Sequence, residues 1–278
     1  MPVYEKVRNL LRAESVRRSL RDKAMRTVSE VLLPYHREQL QQIDEVTKQI
    51  DELRAQTRDV FDRMVEFEVR TRRDIVYAAD MQATLEASWF VRQHMPTAPH
   101  FPEARATLEH ALSLAPSGGM ALEFGVFTGS TLKTIATARS EGGVYGFDSF
   151  KGLPEDWRTG FPSGSFTTDG LPDVPGAELV VGWFDDTLPG FLDEHPGPVD
   201  FLHVDGDLYS SAKTVLDLVG PRLHPGSVIV FDEFFNYPGW QDHEYRAWNE
   251  YVERTGVRFT FEGYTYTDEQ VIVRLVDE

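Results

Sequence analysis

The chain of 278 residues is long enough for one large domain or for one domain with an extension. It contains no cysteine, which excludes disulfides, thiolate metal sites and cysteine nucleophiles. Its net charge of −17 is uneven: residues 1–80 hold 16 Lys and Arg against 15 Asp and Glu, and residues 81–278 hold 12 against 30. So acidic a second part argues against a nucleic-acid partner, whose phosphates call for a basic footprint.

The N-terminal stretch Met1–Leu33 is studded with arginine and lacks the apolar core of a signal peptide. No apolar run approaches the roughly 20 residues that span a bilayer. The expected location is the cytoplasm, with no membrane partner. From Met1 to about Asp80 there is no glycine, and the only prolines are Pro2 and Pro34. Proline removes an amide donor and crowds the preceding turn, so Pro34 is expected to separate a short basic helix over 4–32 from a longer one. In the longer helix Ile43, Val46, Ile50, Leu53, Thr57, Val60, Met64 and Phe67 follow the alternating three-and-four spacing of a coiled-coil seam. Residues 1–80 therefore read as an all-α coiled-coil segment that makes a homo-oligomer.

Residues 81–278 read as a second domain, with a helical lead-in over 81–117 and a core over 118–278. The lead-in holds one helix over 81–94, ending before Met95-Pro96, and another over 103–114, stopped by Pro116-Ser-Gly-Gly119. Strand-like runs then fall at 121–126, 144–147, 178–181, 199–204 and 227–231. Helix-like runs lie between them at 130–139, 187–194 and 210–219. This alternation predicts an α/β fold, a mostly parallel sheet with helices on both faces. Two last runs, 257–262 and 270–276, fit a terminal antiparallel hairpin.

The first motif is Ala121-Leu-Glu-Phe-Gly-Val-Phe-Thr-Gly-Ser130, an apolar strand entering a glycine turn and then a helix. Gly125 allows close backbone approach to a ligand, and Gly129 a tight entry to the helix. Glycines at 125 and 129 alone match the three-glycine dinucleotide fingerprint poorly, which disfavours a nicotinamide dehydrogenase. Glu123 would suit an ammonium group. Asp148, at the end of the next strand, stands where an acidic residue bonds the two hydroxyls of a ribose. Adenosine with an amino-acid tail describes S-adenosylmethionine.

Four segments carry a resemblance: Glu-Phe-Gly-Val-Phe-Thr-Gly-Ser (123–130), Gly-Phe-Asp-Ser-Phe-Lys-Gly-Leu-Pro-Glu-Asp-Trp (146–157), Gly-Trp-Phe-Asp-Asp-Thr-Leu-Pro (182–189) and His-Val-Asp-Gly-Asp-Leu-Tyr-Ser-Ser (203–211). Over residues 118–275 the sequence resembles the macrocin O-methyltransferase family, which includes the tylosin and mycinamicin sugar O-methyltransferases. The resemblance implies a class I, Rossmann-like methyltransferase sheet and a small-molecule acceptor, a hydroxyl on a natural-product sugar. It places the S-adenosylmethionine contacts at Glu123, Gly125, Phe127, Ser130, Asp148, Ser149, Trp183, Asp185 and Asp205, with 182–185 at the adenine. Residues 149–170 would form a loop over the substrate, with Phe150, Trp157 and Phe161 as lid residues or ordinary loop anchors.

Asp205 and the pair Asp232-Glu233 stand at strand ends, where open α/β sheets bind ligands. In the resembled family such a trio holds a divalent metal, so Asp205, Asp232 and Glu233 are the expected Mg2+ ligands. Glu233 stands where the family pattern has Asp. Asp207, just before a helix, reads as a helix cap. The general base is left open among Asp205, His243 and His203, the last read chiefly as a core histidine. Two alternatives keep the chain but change its work: a metal-independent N-, C- or carboxyl-methyltransferase, and an inactive coiled-coil assembly protein.

Overall fold

The computed structural model describes residues 2–139, 141 and 143–277. The chain forms two units, Met1–Asp74 and Ile75–Glu278. The first is a single helix, α1 (Pro2–Arg73), of 72 residues, about 110 Å long at 1.5 Å per residue. Pro34 lies inside it, so the expected break does not occur. A proline in a helix interior costs about 3 kcal/mol through one lost hydrogen bond and a local clash. The flanks contain no glycine and are rich in Leu, Arg, Glu and Gln, so helical propensity resumes at once on both sides. Ion pairs at i,i+4 such as Asp44–Lys48, at 3.0 Å, and Asp59–Arg63, at 3.1 Å, line its surface. The stripe from Ile43 to Phe67 is exposed along this helix, Leu53 by 60% and Phe67 by 63%.

The second unit begins with α2 (Ile75–His94), which starts earlier than expected and contains residue 80. Its Phe90 ring is packed by Phe234, Trp240, Tyr245 and Phe261, with centroids at most 5.9 Å away. There follow β1 (His100–Phe101), α3 (Ala104–Leu114), β2 (Met120–Phe124), α4 (Ser130–Ala138), β3 (Val144–Asp148) and β4 (Glu178–Val181). Then come α5 (Phe184–Glu194), β5 (Val199–Val204), α6 (Tyr209–Val219), β6 (Leu223–Phe231), α7 (Glu244–Thr255), β7 (Phe259–Thr265) and β8 (Val271–Leu275). The helix α7 was missed in the sequence, although Glu244, Ala247, Trp248 and Tyr251 repeat at helical spacing and are its buried face.

The eight strands form one sheet in the order β1-β7-β8-β6-β5-β2-β3-β4. The run from β6 to β4 is parallel, and β8 pairs antiparallel with both β6 and β7. Every residue of β2 and β5 is buried, as befits central strands covered on both faces. One face packs Leu122, Phe124, Leu202, Val204 and Phe231 in a core that also takes in residues of α2, α5, α6 and α7. The other packs Ala121, Phe201, Val228 and Val230 with residues of α3 and α4. Chain order reverses between β2 and β5, which opens a crevice at their carboxyl ends, the place where open α/β sheets bind ligands.

At the opposite end of the strands Asp200 gathers the Gly119 amide at 2.6 Å, Arg139 at 3.3 Å and His224 at 2.9 Å. Arg139 also donates to the carbonyl of Pro116. This buried knot ties β2, β5 and β6 together at their starting ends, far along each strand from the crevice.

Candidate active site

Backbone bonds align the strand ends around the crevice. The amide of Asp205 donates to Phe124 O at 2.8 Å, that of Asp232 to Val204 O at 2.8 Å, and that of Gly125 to Phe147 O at 2.9 Å. Gly125 has φ +99°, and a Cβ there would fall 1.7 Å from the Asp205 carbonyl oxygen, so only glycine lets the two strand ends come this close. Phe127, two residues on, is held at φ +45°, an unusual backbone state for a residue with a side chain.

A cavity of about 510 Å³ occupies the crevice. Its wall carries Gly125, Phe127, Asp148, Ser149, Trp183, Asp185 and Asp205 of the expected contact set, together with Asp207 and Glu233. Asp148 is already engaged: Oδ2 accepts from the amides of Val126 at 2.9 Å and Phe127 at 2.8 Å, and Oδ1 from that of Phe150 at 2.7 Å. Trp183 stands just before α5, and Asp185 and Asp186 lie in its first turn, where the helix dipole favours carboxylates.

Two of the expected contacts are elsewhere. Glu123 has no exposed surface, and its Oε1 accepts from His203 Nδ1 at 2.9 Å. The strand register sets Glu123 beside His203 and points both into the sheet face under α3 and α4, so this carboxylate serves the protein interior instead of the cavity. Ser130 lies on the far side of the same turn, where it lines a second hollow between α3 and α4 with His203, Asp232 and Gln270.

The acidic residues cluster, in a different selection from the expected one. His203, Asp205 and Asp232 bring ligand-capable atoms within 4.8 Å of one another. Glu233 lines the cavity but is not in that set; it is buried, with Oε2 unpartnered, and its amide donates to Glu244 Oε2 at 3.1 Å. Burial, then repulsion from Asp232, pushes the carboxyl groups of Asp205 and Glu233 well above the ordinary range. Asp207 is pushed up to about 7 by the same two causes. Burial would lower the His203 imidazole, but Asp232 and Glu123 on its two sides raise it well above normal. Asp205, Asp207 and Glu233 face this cavity and Asp232 faces the second hollow, yet Asp205 and Asp232 come close enough to share one divalent cation, so the donor set fits a metal.

Asp207 does not cap α6: it sits at φ +59° in the cavity wall, and the residue before the helix is Leu208, without a side-chain cap. The left-handed turn at Asp207 swings its carboxylate away from the helix start. Glu244, also unnamed by the sequence reading, is fully buried behind Glu233. His243 lies away from the cavity wall, its ring 6.4 Å from Trp157 and 6.0 Å from Tyr237, and burial lowers its pKa. Trp157 and Tyr237 flank it, and it stands half-buried outside this cavity.

Residues 149–177 cover the crevice as an irregular loop. The Leu153 amide donates to Ser165 O at 2.9 Å, and Phe166, not anticipated, reaches the cavity wall against Phe127 at 5.8 Å. Phe150 is a buried anchor in the core. Arg158 stacks over Trp157 at 4.0 Å and over Tyr237 at 4.5 Å, and donates to both oxygens of Glu269 at 2.8 and 3.0 Å. Both bonds come from Nη1, and this charge-assisted contact pins the loop to the β7–β8 connection.

Residues 122–234 match the methyltransferase domain family. The matched segment begins in β2 and ends just beyond the Asp232-Glu233 pair. The chain is similar, at 31% identity over 42% of its length, to 8-demethyl-8-(2,3-dimethoxy-alpha-L-rhamnosyl)-tetracenomycin-C 4'-O-methyltransferase of Streptomyces olivaceus. It is 36% identical over 25% of its length to demethyldecarbamoylnovobiocin O-methyltransferase of Streptomyces niveus. It spans 53% of the first relative and 26% of the second. Among solved structures, a calicheamicin methyltransferase aligns at 25% identity over 62% of this chain and 77% of its own, with a TM-score of 0.48.

Proposed function

We propose that this chain is an S-adenosylmethionine-dependent O-methyltransferase that acts on a sugar hydroxyl of a small natural product. The observation that carries the reading is the single cavity in which Gly125, Asp148, Trp183 and Asp185 meet the carboxylates Asp205, Asp207 and Glu233. The first group suits an adenosine with an amino-acid tail, the second a polyhydroxylated acceptor. The two named relatives, both O-methyltransferases, support the acceptor class.

In this reading the turn 125–127 seats the methionine part, Asp148 and Ser149 face the ribose, and Trp183 with Asp185 borders the adenine. The loop 149–177 excludes water and, through Leu153, Pro154 and Phe166, presses the acceptor toward the strand ends. Asp205, in the cavity wall, accepts the proton of the attacking hydroxyl. Asp205 and Asp232 would hold a divalent metal, Mg2+ in the first instance, with Glu233 beside them; when bound, the metal lowers the hydroxyl pKa and fixes its direction.

Calorimetric titration with S-adenosylhomocysteine, with and without Mg2+, tests the cofactor. Micromolar binding is expected, and no binding under either condition overturns the reading. Mass spectrometry of a deoxysugar glycoside after incubation with S-adenosylmethionine tests the acceptor. Full activity after exhaustive chelation would point instead to a metal-independent methyltransferase.

The exposed stripe from Ile43 to Phe67 supports a second proposal, that α1 makes a homo-oligomer by pairing with α1 of another copy. Among the described residues no helix is long and apolar enough to cross a membrane.

A further inference from the structure

Glu123, His203 and Asp232 form a chain of contacts across three neighbouring strands. In the parallel register Glu123 stands opposite His203, and His203 opposite Val230, two residues before Asp232. All three side chains therefore emerge on the face beneath α3 and α4. His203 Nδ1 donates to Glu123 Oε1 at 2.9 Å, and Nε2 lies 3.5 Å from Asp232 Oδ1. Glu123 and His203 are sealed, at 0% and 1% exposure, while Asp232 keeps 23% of its side chain open. The imidazole cannot turn without breaking a buried contact to a carboxylate, and Asp232 is the one member that reaches solvent.

We infer that Glu123 and His203 are positioning residues: Glu123 fixes the His203 ring, and His203 holds one oxygen of Asp232 so that the other is presented beside Asp205. This inference rests on the reading of Asp205 and Asp232 as cation and acceptor ligands. It gives the acidic residue of the glycine-turn motif a task other than contact with the cofactor, from which burial removes it. Buried partners of this kind set the direction of a ligand carboxylate, and their loss typically weakens metal affinity about 10–100-fold.

The test uses the full chain with Mn2+ as probe, comparing wild type, Glu123→Gln and His203→Gln. Both substitutions keep buried polar volume, and Glu123→Gln is isosteric, so it keeps the test decisive if His203→Gln does not fold. Mn2+ binding by calorimetry should weaken by at least about 10-fold in each variant. S-adenosylhomocysteine affinity should stay within about 3-fold of wild type, a difference under 1 kcal/mol. Wild-type Mn2+ affinity in Glu123→Gln would overturn the inference alone. Loss of S-adenosylhomocysteine binding in Glu123→Gln would also overturn it, returning Glu123 to the cofactor. No Mn2+ binding by the wild type would overturn the metal reading, and this inference with it.

Discussion

The carboxylate of Asp148 accepts the backbone amide of Phe127 at 2.8 Å, so the end of β3 holds the turn that follows β2. Together with the bonds from Val126 and Phe150, three amides depend on one side chain. Asp148→Ala leaves these donors without their acceptor, at about 1–3 kcal/mol. The expected result is S-adenosylhomocysteine affinity lowered about 10–100-fold, since each 1.4 kcal/mol is tenfold. Asp148→Asn should lose nearly as much, because its NH2 would face an amide donor. Calorimetry measures both, and unchanged affinity in either would count against the assignment of this wall to the cofactor.

Asp207 gives a pH signature. Its pKa is raised from 3.8 to about 7 in the folded protein, so the folded state holds a proton that the unfolded chain has released. Its stabilising contribution is full below about 4 and is lost as pH rises through about 7. In chelator, the melting temperature of Asp207→Asn should therefore gain on wild type between pH 5 and pH 8. Each kcal/mol so recovered should appear as roughly 2–4 °C. Adding Mg2+ at pH 8 should shrink the difference, because a cation relieves the same repulsion in the wild type. Differential scanning calorimetry reads both proteins under each of these conditions.

The ion pair between Arg158 and Glu269 predicts how the loop 149–177 is held. Arg158→Met keeps much of the stacking on Trp157 and Tyr237 but removes both bonds to Glu269. Limited proteolysis within 149–177 should accelerate severalfold and KM for the acceptor should rise, with little change in melting temperature. Glu269 has its pKa raised to about 6 by burial, against the pull of Arg158, so proteolysis of wild type should also quicken below pH 6, where the ion pair is neutralised. A rate independent of both changes would show that the loop is held by its aromatic contacts alone.

For α1, replacing Ile50 and Leu53 by Lys puts charge on the apolar stripe and leaves the second unit, Ile75–Glu278, unaltered in sequence. Light scattering should show a multimer for wild type and a monomer for the double variant. Helical content by circular dichroism should fall as well, because a lone stripe has nothing to bury against. A monomeric wild type would remove the assembly proposal.

Much of this was legible in order along the chain. The near-continuous apolar runs of β2 and β5 mark central strands, because a strand covered on both faces has no polar side to show. Trp183 and Asp185 come only through the family resemblance, while the position of Gly125 marks the turn and Asp148 and Asp205 stand at strand ends. Such features are local, fixed by burial periodicity and by what a glycine alone permits.

Tertiary structure decided who meets whom. Glu123 and His203 are 80 residues apart, and only the β2–β5 register turns a supposed cofactor contact into a buried partner of Asp232. Whether Asp207 caps a helix or faces a cavity depends on one backbone state, φ +59°. His243 stands against the ring of Trp157, which the distant loop 149–177 brings to it. Sequence determines which residues are able to bury, turn or carry charge. The packing of strands and loops settles which of those charges share a cavity, because charge–charge energies depend on separations that no local pattern encodes.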